Sequence, residues 1–271
     1  MKKSKKIAIL IFLSLLFLGA CHSKLTNKQK TDQNMTVSQL IKKAKTANKK
    51  VETVHFDMSL VTNSLGKKKS QTMKADLDYG KASDNLEKVS GEIKTIQGGA
   101  SNYQEFILPG DGAYFRDDEG ASWTYKDLTD YDVDPDYFDF LDIVYSMKDD
   151  LKLKDDGDNY TVELKSQNVD LLSLFEDELN LSLTGYSQSS MKKTFEVSFD
   201  KENFRLKAFE LKMVSKSRRS RISIEVESKY SKWNKVSQSK FDAPSDVSDD
   251  TPDSSDASNN INDNQEFSDV S

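Results

Sequence analysis

Between Val54 and Val226 the chain alternates apolar and polar residues in short, separated runs. That period of two constrains its fold more than any other feature. Val54, Phe56, Met58 and Leu60 alternate with His55, Asp57 and Ser59. The pattern returns at Met73, Ala75, Leu77 and Tyr79, at Val89, Gly91 and Ile93, and at Tyr160, Val162 and Leu164. It appears again at Phe195, Val197 and Phe199, and at Ile222, Ile224 and Val226. Successive strand side chains point to opposite faces, so each run predicts a strand with one apolar and one wet face. Turn-forming clusters (LGKKK, LPGDG, DDEG, DDGDN, FDKEN) lie between the runs. Strands joined by short polar turns predict an antiparallel meander. Within 204–213 the phase slips, from Phe204, Leu206 and Ala208 to Phe209, Leu211 and Met213, which predicts a β-bulge.

Helical spacing occurs in three places. Thr36 and Gln39 form a capping-box pair, and Val37, Leu40, Ile41, Ala44, Ala47 and Val51 follow at a helical period, predicting a helix over 36–50. Its outer face carries Lys42, Lys43, Lys45, Lys49 and Lys50, the pattern of a solvated face, with a face toward anionic lipid as the alternative. Asp134 and Pro135 offer an N-cap and first-turn pair for a helix running through Tyr137, Phe138, Phe140, Leu141, Val144 and Tyr145 to Lys148. A third helix is expected from Asn168, with Leu171, Leu172, Leu174, Phe175 and Leu179 apolar. Helices that apolar must be covered, and the apolar face of the sheet is the natural place.

The two ends of the chain differ from its middle. Lys2, Lys3, Lys5 and Lys6 precede Ile7 to Leu18, in which only Ser14 is polar. A helix of that length reaches about 18 Å, short of the ~30 Å hydrocarbon core, and has the length of a signal-peptide apolar region. The chain's single cysteine, Cys21, stands just beyond it. One cysteine permits no intramolecular disulfide. Residues 22–35 lack an apolar period and predict a tether spanning about 20 Å root-mean-square. After Phe241 the composition turns to Asp, Ser, Asn and Pro, with nine acids and no base over 241–271, and residues 243–271 predict a disordered acidic tail.

The net charge of −6 is concentrated in that tail; the remainder is close to balanced, which argues against a nucleic-acid footprint. With His22 and His55 the only histidines, a His-rich metal site is not expected, and a Ser–His–Asp triad would need His55. Asp130, Asp132 and Asp134 match the start of an EF-hand loop, but Pro135 stands where Gly is needed and Leu141 where Glu should bind, so no metal is predicted. Ser-x-x-Lys spacings, such as Ser64–Lys67, occur at chance level in a chain rich in both residues. No Walker loop, nucleophile elbow or dinucleotide fingerprint is present, so neither a cofactor nor an enzyme activity is predicted. Lys216, Arg218, Arg219 and Arg221 form a basic patch between two predicted strands, expected at a solvated hairpin tip, with contact to lipid headgroups or anionic wall polymer as the alternative.

Two resemblances add to this reading. Leu18-Gly19-Ala20-Cys21 resembles the lipobox of bacterial lipoproteins, which implies a signal peptide over 1–20, diacylglyceryl attachment at Cys21 and an extracytoplasmic, membrane-anchored chain. Two acyl chains give stable anchorage where one does not. The leading helix, the long meander with interposed helices, and the stretches VETVHFDMSL, GASWTYKDL and YSKWNKVSQSKFDAPSDV resemble the LolA/LolB carriers and the LppX/LprG-like lipoproteins. That likeness implies an α+β fold over 36–242: a curved antiparallel half-barrel sheet with an N-terminal helix and helices packed on its concave face. It also implies a monomeric, non-catalytic binder of a lipid or other apolar ligand. The lining would come from Phe56, Met58, Leu77, Phe138, Leu141, Leu172 and Phe175, with Phe195 and Phe199 as weaker candidates. The alternative is an envelope interaction protein with a solid core.

Overall fold

The computed structural model describes residues 35–81, 85–127, 136–175, 179, 188–215 and 222–248. Helix α1 (Val37–Asn48) is followed by strands β1 (Thr53–Ser64), β2 (Lys67–Asp78), β3 (Lys88–Gln97), β4 (Ala100–Leu108), β5 (Ala113–Arg116) and β6 (Thr124–Lys126). Helix α2 (Tyr137–Ser146) leads into β7 (Leu151–Asp156) and β8 (Asn159–Leu164). The short α3 (Leu171–Phe175) then leads to β9 (Met191–Asp200), β10 (Leu206–Ser215) and β11 (Ile222–Ser231). All eleven strands form one unclosed, curved antiparallel sheet in the order β6-β5-β4-β3-β2-β1-β11-β10-β9-β8-β7. It is thus two meanders, β1–β6 and β7–β11, zipped together where β1 pairs with β11. Because β6 and β7 are opposite edges, the chain between them must get from one edge to the other, and α2, which it carries, lies on one face.

Ring contacts identify that face. Phe140 of α2 stacks on Phe209 of β10 at 4.2 Å, and Tyr137 of α2 meets Tyr230 of β11 at 5.3 Å. Phe175 of α3 lies 5.2 Å from Phe195 of β9. Each aromatic pair adds about 0.5–1.5 kcal/mol to the burial of its rings. Val54, Phe56, Leu77 and Val89 share this inner face with Phe195, Val197, Leu211, Met213, Ile224 and Val226, all of them buried. The alternation in the sequence therefore places each of these residues on its correct face. Gly91 lies on the same face, opposite Ala75 and Phe106. A Cβ there would come within 2.4 Å of the Lys74 carbonyl and 2.9 Å of the Phe106 ring, so only glycine lets that ring lie across β3.

The sequence signals for local structure hold with shifts. Thr36 accepts from the Gln39 backbone N–H while the Gln39 side chain accepts from the Thr36 N–H, closing the capping box of α1. The bulge in β10 falls at Lys207: Leu206 pairs with Phe199, yet Ala208 pairs with Ser198. For α2 the expected cap is corrected. Asp136, not Asp134, is the N-cap, and its carboxylate accepts from the Phe138 and Asp139 N–H groups. Asp134 and Pro135 lie outside the described residues, as do Asp130 and Asp132. In the third helical segment Asp170 accepts from the Ser173 N–H, and Leu171, Phe175 and Leu179 are buried.

Four strands, β4, β5, β6 and β7, are not marked by the alternation. The far edge of the sheet is finished by residues that composition assigns to the tail. Trp123 donates to the Asp246 carbonyl, Ser248 donates back to the Trp123 carbonyl, and Val247 makes a parallel bridge with Trp123. Cys21, the segment before Met35, and Lys216 to Arg221 lie outside the described residues.

Candidate functional site

Two buried polar clusters fix the helices against the sheet. Asn48, on the apolar side of α1, is 1% exposed. Its amide donates to the Ala44 carbonyl at 2.8 Å and the Phe204 carbonyl at 3.2 Å. Its oxygen accepts from the Tyr137 hydroxyl and from the Leu206 N–H. One side chain thus joins α1, α2 and the start of β10. In the second cluster the Tyr79 hydroxyl donates to Asp136 at 2.9 Å and accepts from the Tyr137 N–H at 3.1 Å. Burial pushes the Asp136 carboxyl up from its usual range and raises the Tyr79 and Tyr137 hydroxyls well above theirs. Sequence reasoning missed both clusters. Their only signal was a polar residue four positions after Ala44 on an otherwise apolar helix stripe.

With the helices fixed, the inner face of β1–β4 passes from a sealed core to a half-buried stretch, and β1 is buried again at Thr62. The row Val54–Leu77–Val89–Leu108 is buried throughout, as are Phe56, Ala75, Phe106 and Phe115 in the next inward-facing row. One step further toward the β1–β2 turn, Met58, Ile93 and Gln104 are half-buried around a buried Met73. One more step brings Leu60, Gln71 and Thr95, all half-buried. Beside Met58, the Ser228 hydroxyl is buried and has no hydrogen-bond partner among the described residues.

The seven expected lining residues divide along this gradient. Phe56, Leu77, Leu141 and Phe175 are sealed core, with Phe56 near Tyr230 and Phe175 between Phe140 and Phe195. Met58, Phe138 and Leu172 are half-buried. Phe138 packs edge-on against Tyr79 at 4.7 Å. Phe195 and Phe199 are also sealed. Leu60 and Ile93 belong to the same half-buried region, with the buried Ser228 beside it, and were not anticipated as lining, because alternation gives the face of a residue and not its depth.

Two surface clefts accompany the sheet, and neither is lined by any of the seven. One, of about 850 Å3, lies among Glu87, Lys88, Asp111, Tyr114, Phe241 and Asp242. The other, of about 560 Å3, is bordered by Lys42, Lys45, Lys49, Tyr145 and Lys148, with the Lys45 ammonium 5.0 Å from the Tyr145 ring. On the outer face His55 has both ring nitrogens against carboxylates: Nδ1 is 2.7 Å from Asp76 and Nε2 is 3.5 Å from Asp57. That arrangement supports a charge lattice and gives His55 no described serine to activate. Glu210, Glu225 and Glu227 also group on this face, with Lys212 paired to Glu225.

Fold and geometry together define a class: an open antiparallel sheet with helices on one face, a sealed core on that face and a half-buried apolar stretch across β1–β3. The chain belongs to the family described as DUF6612, a family of unknown function, which matches residues 36–252. No curated protein matches it. Among solved structures it is similar to LprF from Mycobacterium bovis (13% identity, TM-score 0.49, 74% of this chain and 94% of that one). It is also similar to the MucA/MucB complex of Pseudomonas aeruginosa (10% identity, TM-score 0.29, 78% of this chain and 62% of that one). A third is a DUF1329 family protein from Desulfovibrio piger (10% identity, TM-score 0.26, 76% of this chain and 97% of that one). At these identities and scores the similarities assign no activity.

Proposed function

We propose that this chain is an extracytoplasmic lipoprotein, anchored through Cys21, that holds a lipid or other apolar ligand without catalysis in a half-barrel. The observation that carries the reading is a half-buried stretch of the inner face across β1–β3, where Met58, Leu60 and Ile93 are apolar and lie between the sealed core and a buried Thr62. An acyl chain laid across these residues would gain about 25 cal/mol for each Å2 of apolar surface removed from water. The unpaired Ser228 hydroxyl offers such a ligand one polar contact. Anchorage is supported by the basic region, apolar run, small pair and single cysteine of residues 2–21.

Two measurements test the two halves of the proposal. Growth with a clickable palmitate analogue should label the wild-type chain, and Cys21→Ala should abolish the label. An unlabelled wild-type chain would refute anchorage. Native mass spectrometry of the chain from residue 22 onward should reveal a co-purified apolar ligand or saturable fatty-acid binding. Neither would leave the second reading, an envelope interaction protein with a solid core, which the complete burial of Phe56, Leu77, Leu141 and Phe175 favours.

A further inference from the structure

The end of the sheet that carries the β1–β2 turn has three features the fold does not require. The turn is the two-residue loop Leu65-Gly66, since Ser64 pairs with Lys67. Both residues have positive φ, 52° at Leu65 and 87° at Gly66, the pattern of a type I′ hairpin turn. That turn favours Asn-Gly, and a branched apolar residue at its first position is strained. Phe204, also at positive φ, is held by stacking on Tyr160 at 6.0 Å. Leu65 is instead 53% exposed, so the fold recovers little from it.

The second feature is that two more exposed apolar side chains lie toward the same end of the sheet. Five large apolar side chains are exposed among the described residues, and Leu65, Ile96 and Val214 are three of them. Register places Ile96 and Val214 on either side of the turn, about 19 Å apart across the sheet: Ile96 pairs with Ser70, four residues past the turn, and Val214 pairs with Ser223, which pairs with Asn63. The third is charge. Beyond the level of Val61, the described strand residues of this end include Lys67, Lys68, Lys69, Lys192 and Lys193 and no carboxylate. Lys193 is buried, and its ammonium donates to the Val169 carbonyl just before α3. Lys67, Lys68 and Lys192 are exposed. Apolar tips ringed by cations suit one kind of surface, where a side chain can enter the acyl boundary while ammonium groups meet phosphates.

We propose that this end of the sheet docks onto an anionic lipid bilayer, with Leu65 entering the headgroup boundary and Lys67, Lys68 and Lys192 meeting lipid phosphates. The proposal deepens the binder reading, on which it rests, by naming the surface that the half-open inner face would meet. A ligand could then pass between the bilayer and the Met58–Leu60–Ile93 region without crossing water.

The test uses the chain from residue 22 onward, which carries every described element but no lipid. Its binding to vesicles of phosphatidylglycerol and phosphatidylcholine (1:3) is compared with phosphatidylcholine alone, by co-sedimentation at low and high salt. The chain should bind the anionic vesicles and be released by salt. Leu65→Asn should weaken binding about tenfold, yet raise the melting temperature by about 2 °C because it relieves the turn. Replacing Lys67, Lys68 and Lys192 by Ala should cost about fivefold each. The same replacement at Lys42, Lys45 and Lys49 on α1, equal in charge, should cost less than about fivefold in all. No vesicle binding, equal losses from the two lysine sets, or a Leu65→Asn chain that binds unchanged or melts lower would overturn the proposal. So would dimerisation without vesicles that Leu65→Asn abolishes, which would assign the tip to a second copy. Vesicle binding requires neither the Cys21 lipid nor a bound ligand, so its failure is distinguishable from failure of the function proposed above.

Discussion

Replacing Asn48 by alanine should be among the most damaging single changes in the molecule, although alanine is the better helix former. In the folded protein the Asn48 amide and oxygen satisfy the Phe204 carbonyl, the Leu206 N–H and the Tyr137 hydroxyl. The Asn48→Ala variant would leave all three unpartnered in a region where Tyr137 and Leu206 have no exposed surface. Each orphaned buried group costs about 1–3 kcal/mol. Helix propensity returns at most about 0.7 kcal/mol, so allowing for partial relaxation the net loss is about 3–5 kcal/mol. That is a large share of the roughly 5–15 kcal/mol typical of a whole domain. Urea unfolding with linear extrapolation measures it, provided the slope with denaturant is unchanged. A double-mutant cycle locates the cause. Tyr137→Phe removes one of the three orphaned groups, so Asn48→Ala should cost less in that background, by about 1 kcal/mol or more. A loss below about 1 kcal/mol for Asn48→Ala, or an additive cycle, would refute the role of Asn48 as the joint between α1, α2 and β10.

Two further outcomes follow from polar groups held in unusual surroundings. Burial raises the Asp136 carboxyl above its unfolded value. Its contribution is therefore fully present below the unfolded pKa of 3.8 and is lost as pH rises through the raised folded value. Asp136→Asn keeps a capping oxygen and an acceptor for Tyr79 but does not titrate, so its stability relative to wild type should rise from about pH 3.5 to 7; a relative fall over that range refutes the assignment. Ser228→Ala removes a buried hydroxyl with no described partner and should stabilise the unliganded chain by up to about 1 kcal/mol. If that hydroxyl meets the ligand, the same variant should bind fatty acid more weakly, and unchanged affinity would remove Ser228 from the site.

What the sequence made legible depended on how many residues each signal spans. The β1 alternation covers four apolar positions and is unambiguous, and the β10 phase slip located a bulge to within two residues because Leu206 and Phe209 must both point inward. β5 and β6 have four and three residues, too few for a period to declare itself. β4 buries Phe106 and Leu108 only near its end, and β7 offers Leu151 and Leu153 between charged neighbours. α2 was anticipated, but its start was not, because Asp134 and Asp136 are both adequate caps in sequence. Tertiary structure separates them: Asp136 also accepts from Tyr79, a residue 57 positions earlier.

The same distinction governs the candidate site and explains why only part of it could be foreseen. Periodicity fixed the face of Phe56 and Met58 alike, yet one is sealed and the other half-open. Depth along a strand depends on what covers it, and Asn48, Tyr79 and Asp136 hold α1 and α2 against part of that face. A variant that loosens those joints without touching the inner face should therefore alter ligand binding as well as stability. Tyr79→Phe is the sharpest such case. It keeps the ring against Phe138 but takes one donor from Asp136 and the acceptor from the Tyr137 N–H. It should lower stability by about 1–3 kcal/mol and broaden binding at Met58 and Leu60, whereas lost stability with unchanged ligand affinity would show that helix placement and the open region are uncoupled.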